Sequence, residues 1–175
     1  MKRNNNNQQQ RGKKKKDPYI DLLKDYLSQY QRAKNRKKYL EGRLDEIMED
    51  IEKPIKGINY DPIIKPQNKI SNGSASYTLQ KSNIEQRIYA QSDRITEKLI
   101  EIMDVLDYLD ENSDERNALE LYYIDGKKWE QAAEEMCVSR SKIFALQNNG
   151  IKKLLTYSRV RKILDKYKNR KEDTR

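Results

Sequence analysis

From Leu23 to Ile51 the apolar residues return at intervals of three and four. Leu23, Tyr26, Tyr30, Ala33, Leu40, Leu44, Ile47 and Ile51 keep that spacing, and Lys37 is the one interruption. A period near 3.6 puts these side chains on one face of a helix, whereas a strand would alternate every second residue. Asp17 followed by Pro18 makes a helix start, with Asp as the cap and Pro at the first helical position. Pro54 and Gly57 mark the stop. The spacing therefore predicts one amphipathic helix of about 35 residues, about 50 Å long.

A second stripe follows in Ile84, Ile88, Ile95, Leu99, Ile102, Leu106 and Leu109. It predicts a helix from near Ser82 to around Glu111–Asn112. Between the two, residues 54–81 hold three prolines and two glycines with no sustained period, which reads as a long loop with a short helical turn near Tyr77. Two long helices with one apolar stripe each fit an antiparallel hairpin within one chain. A coiled coil between two copies of the chain fits as well, and makes a homo-oligomer a candidate state.

Composition narrows the function. Hydrophobic residues make up 35% of the 175 residues and charged residues 37%, so the core is expected to be modest and all-α. No apolar run approaches the roughly 20 residues that span a bilayer, and no membrane partner is expected. The basic N-terminus has no apolar stretch behind it, so a signal peptide is not expected and a cytoplasmic location is. One cysteine and no histidine exclude a disulfide framework, a Cys/His zinc site and a Ser–His or Cys–His pair. The acidic residues sit at helix-surface spacings beside Lys and Arg. No enzyme activity, cofactor or metal is expected.

The net charge of +9 is unevenly distributed. Residues 1–16 carry seven Lys or Arg and no acid, and their low-complexity sequence predicts a disordered basic tail. Residues 139–175 carry twelve basic and three acidic side chains. The stretch between, 17–138, is net acidic, with eighteen basic and twenty-five acidic residues. Basic charge gathered at both ends of an acidic body fits a nucleic-acid binder better than a helical interaction protein with no DNA role.

The C-terminal part, 113–175, opens with the break "ENSDE", where Asp114 and Glu115 suit the positive end of a helix. That helix carries Leu119, Tyr122 and Tyr123 and ends at Gly126. The stretch "WEQAAEEMCVSRSKIFALQ", residues 129–147, is then a short helix, a three-residue break and a second helix. In a helix-turn-helix the two helices cross steeply over a very short turn. Ala133 is the small residue the crossing needs. Ala132, Met136, Val138, Ile143 and Leu146 fall where apolar contacts would pin the pair together. Ser139 is placed to cap the second helix. Trp129 reads as part of this core. The turn prefers Gly where this chain has Cys137, and a left-handed backbone there would cost a non-Gly residue roughly 1–2 kcal/mol.

Residues 114–155 resemble region 4 of bacterial sigma factors, in the lead-in "ERNALELYYIDGKKWEQAAEEM" and in the second segment "CVSRSKIFALQNNGIKKLL". Arg140 matches a family position that contacts promoter DNA, while Ser141 and Ala145 depart from the Glu and Gln of primary sigma factors. A long helical N-terminal half before such a module is similar in layout to phage late-gene regulators of the RinA and ArpU type. The resemblance implies a DNA-binding transcriptional regulator, with double-stranded DNA as partner and host RNA polymerase as a further candidate. Ile143 and Leu146 face inward, so Arg140, Ser141, Lys142, Phe144, Ala145 and Asn148 are the candidates to face DNA. Arg140 is the candidate for a base contact. Lys152, Lys153 and Arg159, with Lys142, are candidates to position phosphates. Phe144 is placed either to touch a thymine methyl or to pack against the C-terminal helix. The alternative reading is a phage small terminase subunit, which binds packaging-site DNA and forms rings through long helices.

Overall fold

The structure, a computed structural model, describes residues 17–52 and 73–173. The expected basic tail at 1–16 and most of the expected loop lie outside these residues. The described residues are helical throughout, with short connections and no strand: α1 (Pro18–Leu27), α2 (Gln29–Glu52), α3 (Gly73–Leu106), α4 (Asp114–Tyr123), α5 (Trp129–Glu135), α6 (Arg140–Thr156) and α7 (Ser158–Glu172). No helix among them is long and apolar enough to cross a membrane.

Asp17 accepts a hydrogen bond from the Tyr19 backbone N–H at 3.0 Å, and Pro18 occupies the first turn. The single long helix expected from Pro18 onward is divided at Ser28, whose hydroxyl donates to the Lys24 carbonyl at 2.7 Å. Such back-bonding by Ser competes with the helical ladder, although the Ser28 N–H still donates to Lys24 and its carbonyl still accepts from Arg32. The division separates two tasks. Helix α1 buries Leu23, Tyr26 and Leu27 against α6 and α7, while α2 runs out along α3.

Helices α2 and α3 lie side by side and run in opposite directions. The buried Gln91 amide donates to the Ala33 carbonyl at 3.1 Å, while further along α2 Leu40 lies near Arg87 and Ala90. Helix α3 spans about 51 Å. It begins at Gly73, nine residues before the expected Ser82, so the expected loop is shorter than 54–81. It also ends earlier, at Leu106, and Leu109 is buried from the turn beyond it. The expected stripe is unevenly covered. Ala33, Leu40, Ile47 and Ile102 are buried, Ile84, Ile88, Ile95 and Leu99 are half-buried, and Ile51 is 49% exposed.

The main core does not respect the expected boundary between residues 112 and 113. It joins Leu23 and Leu27 of α1, Ile102 and Leu106 of α3, Leu119 and Tyr123 of α4, Ile151 and Leu154 of α6, and Val160 and Leu164 of α7. Residues 113–175 are thus part of a larger unit that α1 and the end of α3 complete. The basic C-terminal segment is a core helix in its own right. Tyr167 meets Tyr26 edge to face at 5.3 Å and donates its hydroxyl to Asp25 at 2.7 Å. Asp25 also accepts from Lys171 at 2.8 Å and from Arg32. Burial pushes the Asp25 carboxyl upward, but hydrogen bonds from Lys171, Arg32 and Tyr167 outweigh it and hold the group well below the usual carboxylate range.

Candidate nucleic-acid interface

A second, smaller core lies under α5 and α6: Ala118, Leu121, Ala132, Ala133, Ile143 and Leu146, with Trp129, Met136, Val138 and Phe144 packed on it. The apolar positions read from the sequence meet here. The connection between α5 and α6 is short because Cys137 takes the left-handed conformation, with φ at 52°. Its N–H donates to the Glu134 carbonyl, and the Val138 N–H donates back to the Ala133 carbonyl, closing the end of α5. Ser139 then starts α6, its hydroxyl accepting from the Lys142 N–H at 3.2 Å. With four residues the chain reverses out of one helix and into the next.

Helix α6 approaches α4 closely at Gly150. A Cβ placed there would lie 2.9 Å from Leu119 Cδ1 and 3.3 Å from Glu115 Cβ. Both neighbours are held in place, Leu119 by full burial and Glu115 by its ion pair with Lys153 at 2.7 Å. A side chain at 150 would push α6 away from α4. Nothing in the sequence pattern marked this glycine.

The buried residues of α6 fix the opposite face. Ile143, Leu146, Gly150, Leu154 and their neighbours point inward, leaving Ser141, Ala145, Asn148 and Lys152 in one exposed row at intervals of four and three. Asn149 and Thr156, absent from the expected set, are exposed beside this row. Arg140 stands on one flank, 71% exposed, and its guanidinium meets Glu130 of α5 at 3.0 Å. Lys142 and Lys153 occupy the other flank above Glu115 of α4. The Lys153 hydrogen bond, with a smaller contribution from Lys142, holds the Glu115 carboxyl below its ordinary range despite partial burial. Lys152 is exposed with no carboxylate partner among the described residues.

Two expected members stand apart. Phe144 is half-buried with its ring centroid 5.8 Å from that of Trp129, so its contact is with α5 rather than with the C-terminal helix. Trp129 in turn stacks on Tyr122 at 3.9 Å. Arg159 is exposed on α7, beyond the extended residue Tyr157 that separates α6 from α7. Its position is off the α6 row.

The chain matches no family model, no curated protein and no solved structure. Among the described residues, no group of three or more Cys, Asp or Glu side chains is arranged to hold a metal ion. What the α6 face offers is hydrogen-bonding amides and a hydroxyl along the row, with cations at its ends and flanks. Such a surface suits the edges and phosphates of a polyanion.

Proposed function

We propose that the chain is a sequence-specific DNA-binding transcriptional regulator, an activator of phage late genes, in which α5 and α6 act as a helix-turn-helix of the sigma-region-4 kind. In this reading Ser141, Ala145 and Asn148 face base edges in the major groove, and Arg140 reads a guanine at the helix end nearest the groove floor. Lys142, Lys152 and Lys153 engage phosphates, with Arg159 contacting the backbone from α7. Phe144 supports the turn from within. The carrying observation is that α6 buries one face while its opposite face is an exposed row, polar except at Ala145, with cations on both flanks. A left-handed turn and a capped start aim that face outward.

The helical hairpin of α2 and α3 is proposed as the part that joins copies of the chain. Large apolar side chains are exposed along it, among them Tyr39, Ile51, Leu79, Tyr89 and Ile100, with Leu79 64% exposed. This same observation favours the second reading, a small terminase subunit. Oligomeric state separates them: a ring of many copies fits packaging, a monomer or dimer fits regulation. Host RNA polymerase is a further proposed partner, and the bacterial cytoplasm the proposed location. Selection of bound sequences from random DNA tests the main reading. An enriched motif is the expected result, and recovery of unenriched DNA overturns sequence-specific binding.

A further inference from the structure

We propose that the cleft between α2, α3 and α7 is a binding site for an oligophosphate anion, carried by a nucleotide or present as an inorganic chain. The cleft encloses about 690 Å³, within the size range of small-ligand sites. Gln91 is buried between the helices and donates to the Ala33 carbonyl, tying α3 to α2 at this point. Arg36 of α2 and Arg94 of α3 line the cleft, and both continue into an adjoining recess where Arg87 joins them.

What singles out these three arginines is the contrast with their neighbours. At the α7 end, Arg32 and Lys171 share the Asp25 carboxylate, and Lys98 is paired with Glu101 at 2.6 Å. Arg36, Arg87 and Arg94 have no carboxylate within ion-pair distance among the described residues, although Glu97 also lines the cleft. Arg36 instead lies over the Tyr39 ring at 5.2 Å. Two helices thus contribute three guanidiniums to the cleft and its recess, where Glu97 is the one carboxylate among the lining residues. A guanidinium presents paired N–H donors that match phosphate oxygens two at a time. A chain of linked phosphates supplies enough oxygens for all three at once. The cleft is concave and lies between helices, which fits a compact anion better than a duplex.

This inference does not rest on the DNA-binding reading of α6. The test is isothermal titration of the full chain with inorganic tripolyphosphate at low salt, with ATP in parallel. Saturable binding of one anion per chain is expected, weakened about tenfold by Arg87→Gln and by Arg94→Gln, the loss of one strong charge-assisted pair in each. Lys162→Gln, an exposed change on α7 outside the cleft lining, should leave it unchanged. Thermal unfolding of each variant checks that the fold is retained, as expected for exposed helical positions. Tighter binding of ATP than of tripolyphosphate identifies a nucleotide source, and equal or weaker binding an inorganic chain. Absence of saturable binding, or binding by both arginine variants as tight as that of the parent chain, overturns the proposal. So does a result in which the variants lower only the salt dependence of DNA binding, which would make the cleft a backbone contact.

Discussion

Arg140 and Glu130 form an ion pair at 3.0 Å across the turn, joining the first residue of α6 to the first turn of α5. The side chain proposed to read a base is thus held, in the free protein, by a carboxylate that a DNA surface would repel. DNA must either displace Glu130 or accept it beside the phosphates. Exposed pairs of this kind contribute about 0–1 kcal/mol, so the cost of release is small. Glu130→Gln should therefore tighten binding to all sequences, by up to about fivefold at low salt, with little change in base preference. Electrophoretic mobility or fluorescence titration on matched and scrambled sites reads both quantities. Weaker binding by the variant would mean that Glu130 positions Arg140 rather than restraining it.

Gly150 is the second place where the sequence hides a constraint. Alanine favours a helix interior over glycine by about 1 kcal/mol, so propensity alone makes Gly150→Ala stabilising. The close approach to Leu119 and Glu115 argues the opposite. Overpacking of this kind costs about 1–3 kcal/mol, and the variant should unfold at a lower temperature. An unchanged or raised midpoint in thermal denaturation would show that α4 and α6 separate freely.

Cys137 carries the strain that the turn requires, with φ at 52° and an exposed side chain. Cys137→Gly removes the steric cost without uncovering any core, and should stabilise the chain by about 1 kcal/mol. Cys137→Val, with a branched Cβ, should destabilise it. Chemical denaturation with a common m-value tests the pair, and a reversed order would mean that the turn does not hold this conformation in solution.

The Asp25 cluster makes stability depend on acid. Its folded carboxyl is lowered by Lys171, Arg32 and Tyr167 against an unfolded value near 3.9. The depressed group contributes stability that is complete above about pH 4 and is lost as pH falls toward the folded value. Asp25→Asn should lower the unfolding midpoint at pH 7 and flatten the acid limb of stability between about pH 4 and pH 2. Parallel acid limbs for parent and variant would contradict this linkage.

The parts of this molecule that were legible in the sequence are those governed by local periodicity. The stripes from Leu23 and from Ile84 predicted long helices, and the Ala133, Cys137, Ser139 and Ile143 spacing located a sharp turn between two later ones. What a stripe cannot state is which surface covers it. Tyr26 reads the same whether or not Tyr167 covers it, so the packing of α1 on α7 was hidden. The start of α3 was missed because residues 76–80 are exposed, and an exposed helix leaves no apolar period. At the proposed interface, the exposed row of α6 follows from the inward set Ile143 and Leu146. Its flanking carboxylates do not, since Glu130 and Glu115 reach Arg140 and Lys153 only through the fold.

The most direct test of the account compares Arg140→Ala with Lys152→Ala on the selected DNA site and on scrambled duplexes, each at several salt concentrations. Arg140→Ala should cost about 1–3 kcal/mol on the selected site and relax preference at one base pair. Lys152→Ala should weaken all sequences alike and reduce the salt slope by about one unit. If Arg140→Ala weakens every duplex equally while Lys152→Ala alters base preference, α6 is docked in the reverse sense. If neither change affects binding, α6 is not the DNA-reading helix, and the central claim fails.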